Sequence, residues 1–114
     1  MAKVVHFEVC GSDGKRLQDF YASLFDWKVD ASNPMQYGLV DEAQSGIGGG
    51  ICKAQGKPIV TFYVAVPDLS AALARAERLG GKTVMTPMQV PNGPEIALFS
   101  DPDGNVVGLV KPTE

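Results

Sequence analysis

The stretch Ala97-Leu98-Phe99-Ser100-Asp101-Pro102-Asp103-Gly104-Asn105-Val106-Val107-Gly108-Leu109-Val110 decides how this chain folds. It reads as strand, tight turn, strand. Asp101 stands at position i, Pro102 at i+1 and Gly104 at i+3 of a type I turn. The proline presets φ, the aspartate side chain reaches nearby amides, and the glycine tolerates a positive φ. Apolar runs on both sides predict a β-hairpin with at least one buried face.

Working outward, a fainter version of the same pattern lies earlier in the chain. Val4 to Cys10 alternates as a strand, with Val5, Phe7 and Val9 on one face and His6, Glu8 and Cys10 on the other. Ser12 or Asp13 caps a helix whose Leu17, Phe20, Tyr21, Leu24 and Phe25 form one apolar stripe, predicting a helix packed on a sheet. Trp27-Lys28-Val29 reads as a short strand, Ser32-Asn33-Pro34 as a turn, Tyr37 to Val40 as a strand, and Gly46 to Cys52 as another. Lys53 to Pro58 is polar and turn-rich, which suits a connector.

The pattern then restarts. Ile59 to Val66 alternates, with Val60, Phe62, Val64 and Val66 facing one way and Thr61, Tyr63 and Ala65 the other. Asp68 caps a helix carrying Leu69, Ala72, Leu73, Ala76 and Leu79, and Gly80-Gly81 stops it. Lys82 to Met85 is a short strand. Thr86 to Pro94, with three prolines, is a loop or a poorly paired edge. Both halves therefore run strand, helix, strand, strand, strand, offset by about 55 residues, and Gly50 overlays Gly108. The fold expected is α+β: two βαβββ modules forming a curved mixed sheet around a cleft. Module one spans 1–53, the connector 54–58 and module two 59–114, within a single domain.

Composition sets the outer bounds. A chain of 114 residues buries roughly two-thirds of its unfolded surface without disulfide or metal support. A net charge of −3 leaves no excess of Lys or Arg to neutralise phosphates, which argues against a nucleic-acid partner. Cys10 and Cys52 form no CxxC motif and no metal spacing, and their scarcity suits a reducing compartment. No apolar run nears the ~20 residues of a membrane span, and the N-terminal stretch lacks a signal-peptide core. A cytoplasmic location without membrane partners is expected.

On these motifs the chain resembles the vicinal oxygen chelate superfamily, which includes glyoxalase I, bleomycin-resistance proteins and extradiol dioxygenases. The matching residues are Val5-His6-Phe7-Glu8, Phe20-Tyr21 with Leu24-Phe25-Asp26-Trp27, Val66-Pro67-Asp68-Leu69, Leu79-Gly80-Gly81 and Phe99 to Asn105. The resemblance implies a divalent metal held by His, Glu or Gln at one position in the first and last strand of each half. Carried over singly, those positions are His6, Thr61, Gly50 and Gly108, and His6 alone is a ligand of that kind. No metal or other cofactor is therefore expected, a divalent metal being the alternative. The resemblance also implies homodimers, side by side or with exchanged halves.

The function expected is small-molecule binding of the bleomycin-resistance type. The alternative is a glyoxalase-like lyase or isomerase, metal-dependent or metal-free, using His6 and Glu8 as catalytic groups. A carboxylate between Val9 and Phe7 on a face shared with His6 suits a partly polar cavity. The expected ligand-binding set is His6, Glu8, Tyr37, Cys52, Thr61, Tyr63, Met85 and Met88. Tyr37 and Tyr63 serve there as stacking aromatics, and the methionines as an adaptable wall or lid. Asp101 and Asn105 are turn chemistry.

Overall fold

The computed structural model describes residues 1–112. The chain gathers into two compact units, Val5–Thr61 and Met1–Val4 with Phe62 onward. Its elements in order are β1 (Lys3–Gly11), α1 (Gly14–Phe25), β2 (Gly38–Val40), α2 (Glu42–Ser45), β3 (Gly49–Lys53), β4 (Ile59–Ala65), α3 (Leu69–Arg78), β5 (Lys82–Gln89), β6 (Glu95–Ser100) and β7 (Val106–Lys111). Parallel and antiparallel strand pairs both occur beside the helices, so the class is α+β.

In the Val5–Thr61 unit, β3 lies between β1, which runs parallel to it, and β2, which runs antiparallel. Ile51 on β3 is completely buried. Asp13, the second of the two expected caps, starts α1: its side chain accepts from the Arg16 amide at 3.1 Å. The helix packs on β3, but of the stripe that its periodicity suggests only Leu17 and Tyr21 are partly buried. Gln18 is the buried residue of α1, while Phe20, Leu24 and Phe25 are each more than half exposed. The physical reason lies in hydrogen bonding. The Gln18 side-chain amide donates to the carbonyls of Ile51 at 2.8 Å and Gln36 at 3.1 Å, so its polar end is satisfied inside. Gln18 also closes over Gly38, where a side chain would collide with it.

Trp27 to Val29 is not a strand. The Gln44 side chain takes the place of a neighbouring strand there, accepting from the Lys28 amide at 2.7 Å and donating to the Lys28 carbonyl at 3.0 Å. Strand-like pairing begins only with the single bridge between Asp30 and Leu39. The α2 turn that presents Gln44 starts at Asp41 and was hidden in a run with no clear period. Phe7, Trp27, Phe25 and Tyr21 follow one another in ring contact, with centroids 4.9 to 6.0 Å apart.

In the other unit, β4 and β7 are parallel, β6 lies antiparallel to β7, and β5 lies outermost on β6. Leu69 and Leu73 of α3 pack with Ala97 and Leu109 of the hairpin, flanked by Val64, Val66, Ala72 and Phe99. The hairpin forms as its turn chemistry dictates. Gly104 donates to the Asp101 carbonyl at 2.9 Å with φ +89°, and the Asp101 carboxylate accepts from the Asp103 and Asn105 amides. These bonds, chiefly those from Asn105, hold the Asp101 carboxyl below the usual range.

Two expectations gain detail. On β4 the alternation holds, but Val60 and Phe62 are exposed while Thr61 and Tyr63 are buried. Within its unit Tyr63 lies opposite Gly108, and its ring fills the space that a side chain at Gly108 would take. The proline-rich stretch continues as strand through Pro87 to Gln89, with register shifts on either side of Met85. An outermost strand tolerates the missing amide of proline.

Candidate functional site

The candidate site forms within the Val5–Thr61 unit. Alternation along β1 sends His6, Glu8 and Cys10 to one face. The parallel register with β3 then sets Gly50 opposite Glu8 and Cys52 opposite Cys10. Because residue 50 lacks a side chain, the ring of Tyr37 lies over its Cα; any Cβ there would overlap that ring. The approach of Tyr37 is fixed by Asn33, whose side chain accepts from the Tyr37 amide at 2.9 Å and donates to its carbonyl at 2.7 Å.

The Tyr37 hydroxyl donates to Glu8 Oε2 at 2.8 Å. That spends its single proton, so the His6 Nε2 group, also at 2.8 Å, is the donor to the Tyr37 oxygen. His6, Tyr37 and Glu8 thus form one hydrogen-bonded series. Burial lowers the His6 pKa and the nearby Glu8 carboxylate partly opposes this. The imidazole is therefore a neutral donor near pH 7, and the carboxylate at the far end is the acceptor.

The thiols form a second cluster on the same face. Cys10 and Cys52 Sγ lie 2.8 Å apart. The shared proton raises the Cys10 pKa, with burial and Glu8 adding to the rise, and lowers that of Cys52. Either thiol can donate to the other across this contact. One Glu8 oxygen and the two sulfurs all lie within 4.8 Å of one another.

A depression of about 500 Å³ in the same unit is lined by Val5, His6, Lys28, Leu39, Asp41 and Gly49, among others. A second, of about 540 Å³ and more apolar, is lined by Arg16, Leu17, Phe20, Tyr21, Pro58 and Val60, among others.

Of the expected site residues, His6, Glu8, Tyr37 and Cys52 come together here. Tyr37 acts through its hydroxyl, not its ring face. Thr61 is buried at the end of this unit. Tyr63, Met85 and Met88 belong to the other unit, Tyr63 over Gly108 and the methionines along β5 opposite Leu98 and Ile96. Cys10 joins the cluster although it was not among the expected site residues. Its alternation with His6 and Glu8 carried the signal, but its pairing with a residue 42 positions away depends on strand register.

The sequence profile described as Glyoxalase/Bleomycin resistance protein/Dioxygenase superfamily matches residues 3–109. The chain belongs to that superfamily. Among its relatives is the anthracycline biosynthesis protein DnrV of Streptomyces peucetius, 29% identical over 117 residues, covering 86% of this chain and 42% of that protein. The chain thus spans less than half the length of the curated relative it matches. Similar solved structures include a hypothetical protein of Bacillus halodurans, with TM-score 0.70 at 13% identity, covering 99% of this chain and 96% of the other. Methylmalonyl-CoA epimerase of Mycobacterium tuberculosis gives TM-score 0.68 at 15% identity, over 97% and 88% of the two chains. At those identities the likeness is one of fold.

The residues of this superfamily member do not fit the metal that the resemblance implies. A divalent ion needs about three protein ligands. Of the four positions carried over, His6 supplies an imidazole that already bonds Tyr37, Thr61 supplies only a hydroxyl, and Gly50 and Gly108 offer no side-chain atom. Tyrosine rings fill both places where a ligand side chain would extend.

Proposed function

We propose that this chain binds a small organic molecule over the His6–Tyr37–Glu8 series without using the superfamily's usual metal positions. The observation that carries the reading is the Tyr37 hydroxyl held between His6 and Glu8 at 2.8 Å on each side. The series presents the Glu8 carboxylate to a ligand as an acceptor, and His6 also lines the depression bordered by Val5 and Leu39. From the wider expected set, Cys52 and Thr61, which lie in the same unit, belong to this proposal as ligand-lining residues. So do a cytoplasmic setting, which keeps both cysteines reduced, and a homodimeric state. Among the described residues no helix is long and apolar enough to cross a membrane.

One feature favours a second reading, a metal-free lyase or isomerase. Two protons in series, on His6 Nε2 and on the Tyr37 hydroxyl, form a relay that ends on Glu8, whose carboxylate would take the proton from a substrate. The chemistry fitting such a relay is proton abstraction beside a carbonyl.

Titration calorimetry with an anthracycline, bleomycin and methylmalonyl-CoA tests the binding reading, with Tyr37→Phe alongside. Saturable binding of one of them, weakened about tenfold or more by Tyr37→Phe, is the expected result. Binding of none, or binding indifferent to Tyr37→Phe, counts against it. For the second reading, methylmalonyl-CoA is incubated with the protein in D₂O. Deuterium uptake at the acidic carbon that is lost in Glu8→Gln establishes turnover, and uptake no faster than without protein removes it.

A further inference from the structure

We propose that Glu8, Cys10 and Cys52 form a binding site for one thiophilic divalent cation of the zinc or cadmium type. The site is distinct from the positions that the superfamily resemblance carries over. It also does not depend on whether an organic ligand binds at Tyr37.

Three observations point to it. First, backbone register supplies the donors without any loop having to order. Cys10 and Cys52 are direct partners across the parallel β1–β3 pair, and Glu8 precedes Cys10 by two residues on the same face. Second, the donor atoms already converge, all within 4.8 Å of one another. A tetrahedral ion with metal–sulfur bonds of about 2.3 Å needs its two sulfurs roughly 3.8 Å apart. The thiols at 2.8 Å must therefore part by about 1 Å, a motion that side-chain rotation supplies while the strands stay paired. Third, the carboxylate is oriented from behind. Tyr37 donates to Glu8 Oε2, and His6 donates to Tyr37. Outer hydrogen bonds of this kind hold metal-ligating carboxylates in place.

The donor set also selects the ion. Two thiolates and one carboxylate suit zinc or cadmium and are a poor match for magnesium or calcium, which prefer oxygen throughout. Binding releases the thiol protons to solvent, and the cation offsets the charge of three converging anions. Three protein donors leave the fourth tetrahedral position to water or to a small molecule. Cys52 is only half-buried, so that position has a route to solvent.

The test uses the fully reduced protein and Co²⁺ as an optical stand-in. One equivalent of Co²⁺ is expected to produce a thiolate-to-metal charge-transfer band, and Zn²⁺ to displace it. In Cys52→Ser the band shrinks and affinity falls by about 100-fold or more. In Glu8→Gln the band persists, because both sulfurs remain, and affinity falls about 10- to 100-fold. Circular dichroism shows whether each variant is folded. Independently, one equivalent of Zn²⁺ should slow alkylation of Cys52 by iodoacetamide in the unaltered protein, a readout that needs no variant. Absence of a charge-transfer band in the reduced protein, or equal Co²⁺ affinity in Glu8→Gln, overturns the site. So does an alkylation rate indifferent to Zn²⁺.

Discussion

Tyr37 has one proton to give, and Glu8 accepts it, so His6 must reach it as a donor from Nε2. Burial meanwhile favours the neutral imidazole, and Glu8 only partly offsets this. His6 in the folded chain thus titrates below its ordinary value of 6.5. As pH falls through that value, unfolded chains take up a proton that folded chains still refuse. Stability should therefore decline from about pH 6.5 down to the folded pKa, and this contribution then levels off. Above the window the imidazole is neutral in both states and contributes no slope. Chemical unfolding of the protein and of His6→Asn, compared between about pH 5 and 7, isolates the effect, since the asparagine amide remains a donor. The variant should lack the extra acid-side slope. Asp30 and Asp101 are shifted downward too, by bonds from Ser32 and Asn105, but they titrate below 3.8 and leave this window clear. Parallel curves for the two proteins would mean that His6 titrates no differently on folding.

Between elements, β3 and the loop before β2 meet by subtraction: Gly50 gives up its side chain and Tyr37 fills the gap. Gly50→Ala should cost about 1–3 kcal/mol as the ring is forced off Glu8. Removing the ring first should make the alanine nearly harmless, so Tyr37→Ala with Gly50→Ala should cost less than the two single changes summed. Gly104 is the control. No atom lies within 4 Å of the Cβ that an alanine would add there, and only its φ of +89° resists. Gly104→Ala should cost about 1–2 kcal/mol whatever stands at position 37. Urea unfolding of the five variants decides this, and strict additivity at Gly50 would show that the ring is not the obstacle. The same contrast explains what a reader of the sequence can see. The 101–105 turn is legible because its chemistry is local: aspartate, proline and glycine meet within five residues. The alternation that puts His6, Glu8 and Cys10 on one face is legible for the same reason. Tyr37 over Gly50 and Cys52 against Cys10 are not, because both need the register of strands far apart in sequence. The inward face of α1 misleads because hydrophobic periodicity cannot register two backbone carbonyls waiting for the Gln18 amide.

At the scale of the whole molecule, the misread face of α1 bears on assembly. Phe20, Leu24 and Phe25 stand 51 to 58% exposed on one short helix. Grouped exposure of large apolar side chains marks surfaces that a partner covers. A second copy of the chain is the partner proposed here. A net charge of −3 sets up little repulsion between copies. Sedimentation at micromolar concentration should accordingly give a dimer. Leu24→Lys should shift the protein to monomer while leaving its circular dichroism and unfolding midpoint nearly unchanged. An exposed side chain contributes within about 0.5 kcal/mol to the fold itself, but a lysine buried at an interface without a partner is costly. A monomer for the unaltered protein, or a dimer that tolerates lysine at position 24, would remove this face from the assembly. Loss of the fold in Leu24→Lys would instead mean that the side chain packs within its own chain more than its exposure of 58% allows.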